Sequence, residues 1–369
     1  MGHFKKHISA FKGLACLFIM LGHYTAIVKY SQSIDVSSAF IHTLDRFKLY
    51  YLINEQFWLD LFFLVSGYLC AHTRITKLPS LAIKCFCRFL RFVIPIWFSC
   101  AVVYVLYLIF GFHKAETTAV FSNNWFQSFY PYPLPFFSLI KAPYNVLFNY
   151  VYSYNAPFWV LSDMMKASML IYVCTYVQSR LRLSILRVLA YAAALYMAYR
   201  VSSRIAFYCL VGMGLHMVEN LVHRYTPSAL AAMAIIATYL LATVYNVPYT
   251  SICFFCSLIL FVPLLRPLNA CFSHRALTGL ADLSFGVYAF HWPVMCSVGS
   301  LLLLFLQPHT GLSTALLLSC VFSALLTLVM AYFFSITLEK LSSRIIRGIQ
   351  ARLESIAAKA AAPLPRARA

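Results

Sequence analysis

The amino-acid sequence predicts an all-α protein that crosses a lipid bilayer about ten times. Three observations carry that prediction. Of its 369 residues, 62% are hydrophobic and only 11% charged, about half the charge of a soluble domain. Apolar runs long enough to cross about 30 Å of hydrocarbon recur from one end to the other. The Lys and Arg residues gather in alternate loops, as they do in membrane proteins of fixed orientation.

The runs fall at roughly 10–29, 52–72, 90–111, 157–178, 184–199, 205–222, 228–245, 249–265, 283–306 and 313–337. The first, ISAFKGLACLFIMLGHY from Ile8 to Tyr24, holds Lys12 and His23. No small-residue cleavage site follows it, so it is expected to be a retained helix and not a signal peptide. The second contains FWLDLFFLVSGY with Asp60, and its Ser66-Gly67 pair marks a close helix crossing. The third enters through RFLRFVIP, with Arg88, Arg91 and a kinking Pro95. The fourth begins in APFWVLSDMMKAS, with Trp159, Asp163 and Lys166, and the ninth carries LSFGVYAFHWPV with His291. Ten spans put both termini on one side. That side collects 21 Lys and Arg against 7 on the other, so both termini are predicted to be cytoplasmic. Residues 1–338 form the membrane domain. Residues 339–369 form a basic cytoplasmic tail, first an amphipathic helix with Arg344, Arg347 and Arg352, then AAKAAAPLPRARA, expected to be disordered.

The net charge of +19 does not point to nucleic acid, which needs a basic face on a folded soluble domain. The twelve cysteines lie mostly inside apolar runs, where they behave as small hydrophobes. Cys253 and Cys256 form a C-x-x-C without a second pair, and no metal is expected. The long loop 112–156 is rich in aromatic and amide side chains (Asn123, Asn124, Trp125, Tyr130, Tyr132, Tyr150, Tyr152, Tyr154), a mixture suited to an interfacial belt or to sugar stacking.

Ionisable groups inside the apolar layer are the functional candidates, because burying them is costly. Lys12 and His23 are eleven residues apart on one helix face, about 16 Å along the axis. A histidine exchanges protons at neutral pH and suits general base catalysis. Asp60, on an antiparallel neighbour, either orients His23 or reaches water at the interface. Arg88 and Arg91 lie three residues apart, a spacing suited to phosphate binding, though positive-inside charge alone also places arginines here and spacing by itself favours that reading. Asp163 and Lys166 either neutralise each other one turn apart or serve a site. His291, beside Trp292 and Pro293, is a structural donor or a site residue.

In this order the segments resemble the acyltransferase 3 family of integral membrane acyltransferases. The resemblance covers residues 8–337. It rests on Lys12 with His23, DLFFLVSGY from Asp60, RFLRFVIP from Arg88, WVLSDM from Trp159 and LSFGVYAFHWP from Leu283. It implies O-acyl transfer, usually of acetyl, from cytoplasmic acyl-CoA to a hydroxyl of a cell-surface glycan or lipid-linked sugar. The plasma membrane, in a bacterium the inner one, is the implied location. In that scheme Lys12, Arg88 and Arg91 hold CoA phosphates, His23 is the base or a transient acyl carrier, and Asp60 orients it. Trp159, Asp163 and His291 support substrate or structure. Two positions depart from the pattern. Lys12 stands where arginine is usual, and Met164 where glutamate is common, with Asp163 beside it. A flippase for a lipid-linked sugar is the alternative from a different class, disfavoured by the lack of an internal repeat, and the methionine leaves room for a non-catalytic member.

Overall fold

A computed structural model describes residues 6–29, 54–121, 133–244 and 250–360. Among the described residues every regular element is helical. The principal helices are α1 (Lys6–Lys29), α2 (Glu55–Ala71), α3 (Leu78–Phe110), α4 (Trp159–Arg180), α5 (Ser184–Arg200), α6 (Arg204–Tyr225) and α7 (Ser228–Val244). They continue with α8 (Thr250–Phe261), α9 (Arg275–Val294), α10 (Ser300–Thr310), α11 (Leu312–Phe334) and α12 (Lys340–Ala360). Apolar side chains all round most of them suit helices that face lipid on one side and neighbours on the other.

Among the described residues six helices are long and apolar enough to cross a membrane, and seven if the pair Ser251–Leu264 and Arg266–Phe272, bent by 106°, counts as one span. The three other predicted spans are helical but short: α2, α5 and α7 have 17 residues each. At 1.5 Å per residue that is about 26 Å, under the roughly 30 Å of a hydrocarbon core. Helices α9 and α10 join through a π-turn at Met295–Gly299 into one run, Arg275–Thr310. The run begins eight residues before the predicted span. A second π-turn, Ser335–Glu339, carries α11 into α12, which packs on α3. The helix continues to Ala360 where disorder was expected from 357, because alanine is the strongest helix former. Residues 361–369 lie outside the described residues.

Two parallel helix pairs set the positions of the polar side chains. Helices α1 and α9 run side by side, with Gly13 against Leu280 near one end and His23 against His291 near the other. Helices α2 and α6 cross at glycines, as Ser66-Gly67 suggested. A Cβ on Gly67 would sit 1.9 Å from the Cys209 carbonyl oxygen, and one on Gly212 would sit 2.0 Å from that of Leu64. Backbones this close leave no room for any side chain, so the crossing depends on both glycines. It brings Asp60 to Arg204 at one end of the pair and His72 to His216 at the other.

Candidate active site

His23 lies nearly two turns before the end of α1. Its Nδ1–H donates to the Ile19 carbonyl at 2.9 Å. A carbonyl only accepts, so the neutral ring carries its lone pair on Nε2. His291 on α9 repeats the arrangement, with Nδ1–H donating to Val287 O at 3.0 Å. The two rings stand 5.0 Å apart, and the Trp292 ring meets His23 edge-on at 5.5 Å. His291 is fully buried, and its Nε2 has no hydrogen-bond partner among the described residues. Tyr24 holds the α9 backbone here, its hydroxyl 3.4 Å from both the His291 carbonyl and Thr327 Oγ1. From the other side, Asn155 Nδ2 donates to Ala289 O at 2.6 Å and Tyr288 donates to Pro157 O. The result is a pair of imidazoles with fixed tautomers, each with its lone pair on Nε2.

Asp60 does not orient His23. Its carboxylate accepts from Arg204 Nη2 at 2.9 and 3.0 Å, from Ser251 Oγ at 2.9 Å and from Tyr208 Oη at 3.2 Å. The reason is helical register. Phe18 of α1 stacks on Trp58 of α2 at 4.2 Å. His23, five residues further along an antiparallel neighbour, therefore meets the start of α2, where Glu55 lies within electrostatic reach of it. Asp60 follows Trp58 by two residues, about 200° around the helix, and so faces α6 and α8. Nor does it reach water, since it is 1% exposed.

The cations separate. Arg88 turns inward, its Nε donating to Ser168 Oγ at 3.1 Å and its guanidinium 5.0 Å over the Phe92 ring. Arg91 is exposed. Both charges act on Tyr172, the group they share. Lys12 instead lies within electrostatic reach of Glu339 in the second π-turn, as does Asp282. Trp159 is 43% exposed, and its neighbours Pro157 and Phe158 make the contacts to α9. Asp163 and Lys166 are partly exposed and share the Tyr150 hydroxyl, 2.9 Å from Asp163 Oδ1. That is mutual neutralisation at the surface. Of the aromatic loop, Asn123, Asn124, Trp125, Tyr130 and Tyr132 lie outside the described residues. Tyr154 is buried and bonds Ser138 and Pro135.

The profile of a family described as an acyltransferase domain, Acyl_transf_3, matches residues 6–335, nearly the whole chain. The protein belongs to the acyltransferase 3 family. It is a multi-pass integral membrane acyltransferase. No curated protein and no solved structure matches it. In this acyltransferase Met164 is buried against the bundle, whereas Asp163 points to the surface, so the neighbouring carboxylate does not fill the glutamate position. Sequence reasoning overlooked Glu55, Arg204, Tyr208, Ser251 and Glu339. Glu55 left a readable signal, because Asn54 before it is an N-cap residue and its side chain accepts from the Gln56 and Phe57 amides. The partners of Asp60 left none, being 144 to 191 residues away.

Proposed function

We propose that this acyltransferase moves an acyl group, most simply acetyl, from cytoplasmic acyl-CoA to a hydroxyl of a cell-surface glycan or its lipid-linked precursor. The proposal includes ten crossings of the plasma membrane (the inner membrane in a bacterium) and cytoplasmic termini. The observation that supports it is the histidine pair, in which Nδ1 is used by the backbone and Nε2 of His23 is left with its lone pair. A general base needs that tautomer.

In the reaction, the acceptor hydroxyl gives its proton to Nε2 of His23 as its oxygen attacks the thioester carbonyl carbon. The tetrahedral intermediate expels the CoA thiolate, which takes the proton from the imidazolium. An ester and a thiol result, and the histidine is restored. His291 accepts from a second hydroxyl of the sugar through its unpartnered Nε2, and Glu55 stabilises the transient charge on His23. Arg88 and Arg91 hold donor phosphates near Tyr172, and Lys12 adds a third cation. The test is mass spectrometry of surface glycan from cells carrying the wild-type protein or His23→Ala. Loss of a general base lowers transfer by about 10²–10⁴-fold, so the variant's glycan lacks the acetyl mass while the protein still inserts. Full acetylation in that variant refutes the base assignment.

A further inference from the structure

At the far end of the α2–α6 pair from Asp60, four side chains converge. Tyr68 and His72 come from the last turn and C-cap of α2, and His216 and Glu219 from one turn of α6. One ligand atom from each of His72, His216 and Glu219 falls within a group whose members all lie within 4.8 Å of one another. The sequence hides this cluster, because 144 residues separate His72 from His216 and no short metal motif contains either.

We propose that His72, His216 and Glu219 bind a divalent transition-metal ion of the zinc class. Three features fit an ion at this position. The first is spacing. His216 Nδ1 and Glu219 Oε1 are 3.2 Å apart, and two ligands each about 2.0–2.1 Å from a tetrahedral zinc ion lie about 3.3 Å from each other. The second is the outer shell. His72 Nδ1–H donates to the Tyr68 carbonyl at 3.0 Å, which selects the tautomer with its lone pair on Nε2. Backbone bonding of one imidazole nitrogen is how ligating histidines are oriented. The Tyr68 hydroxyl donates to Glu219 Oε2, holding the other carboxylate oxygen so that Oε1 faces the histidines.

The third feature is charge. Glu219 is 6% exposed, and its ion-pair partner among the described residues is His216 alone. A carboxylate at membrane depth needs a cation, and a neutral imidazole supplies none. The His72 and His216 rings stack at 4.0 Å, so protonating both to supply it would set two positive charges face to face. One dication resolves both problems. Two imidazole nitrogens and one carboxylate oxygen suit zinc and its neighbours, whereas magnesium and calcium prefer all-oxygen shells. His72 is at a helix end and half-buried, so a shift of that end that keeps the Nδ1–H bond to Tyr68 would bring its Nε2 to the ion. Water completes the coordination.

The ion would staple α2 to α6 where the Gly67 crossing opens. Thr73, next to His72, bonds Tyr172, the group on which Arg88 and Arg91 both act, so the staple also steadies that end of the bundle. The site does not depend on the acyl-transfer reading.

The test uses full-length protein in detergent, stripped with a chelator and dialysed, then titrated with Zn²⁺, and with Co²⁺ as a spectroscopic probe. The expected result is about one Zn²⁺ per chain by elemental mass spectrometry and the visible absorption of four-coordinate Co²⁺. His216→Ala and Glu219→Gln lose both signals. Tyr68→Phe, which removes one hydroxyl and keeps the packing, weakens binding about 10–100-fold. Zn²⁺ also raises the melting temperature of the wild-type protein, a readout that needs no variant. Retention of Zn²⁺ by His216→Ala equal to that of wild type, or a wild-type melt unmoved by saturating Zn²⁺ with no Co²⁺ spectrum, overturns the proposal and leaves a His216–Glu219 ion pair.

Discussion

Replacing Asp60 with asparagine separates a structural role from a catalytic one. The carboxylate is 1% exposed and receives Arg204, Ser251 and Tyr208 at 2.9–3.2 Å. Asparagine keeps one acceptor oxygen but loses the charge and turns an amide N–H₂ toward a ring of donors. Hydrogen bonds to a charged group are worth about 1.5–3 kcal/mol each, and removing one partner of a fully buried pair costs about 3–5 kcal/mol. The Arg204 side chain is 48% exposed, so solvent screens its share. The expected loss is about 2 kcal/mol, roughly a 30-fold shift in the folding equilibrium. Arg204→Ala should cost more than Asp60→Asn, because it leaves a buried carboxylate with only two hydroxyls to hold it. The double variant Asp60→Asn/Arg204→Ala should therefore be less destabilised than the sum of the two. The assay is chemical denaturation of the three variants in detergent, with acyl transfer measured on the folded protein under native conditions. Unchanged unfolding midpoints together with a collapsed turnover in Asp60→Asn would refute the reasoning, since they would place Asp60 in the reaction and not in the scaffold.

Other expectations follow from the same geometry. Gly67→Val forces α2 and α6 apart, at about 1–3 kcal/mol or more, and should lower the yield of folded protein. Gly279→Ala, where a Cβ meets nothing within 4 Å, should be neutral or stabilising, and size-exclusion profiles in detergent compare the two. Arg91→Gln and Arg88→Gln should each raise the KM for acyl-CoA about tenfold or more. Only Arg88→Gln should also lower the unfolding midpoint, because only Arg88 is tied to Ser168. Equal stability losses would show that the two arginines do not divide as their side chains do.

Much of the fold was legible because a bilayer leaves few options. Where backbone groups cannot bond water, apolar runs of spanning length become helices, and each predicted run contains one. Span ends were less legible. The π-turn at Ser335–Glu339 lets a helix pass through the end predicted at 337, the one at Met295–Gly299 lies inside a predicted span, and hydropathy does not register a change in hydrogen-bond spacing. The crossing at Gly67 could be read because small residues are what let transmembrane helices approach.

The sequence by itself determined the membrane character and the helical class and singled out His23 as a candidate, because each is written in local chemistry: hydropathy, and a titratable group where burial is costly. Its likeness to one family came from five motifs in order, each also local. Tertiary structure decided which groups meet. Asp60 went to Arg204 and Glu55 took its place near His23, because the Phe18–Trp58 register and a 200° helical offset choose a side chain's neighbours. Those quantities depend on how two helices settle against each other over their whole length. The same holds for His291 beside His23 and for His72 beside His216. Each pair joins residues far apart in the chain, brought together by a parallel helix packing that no window of sequence contains.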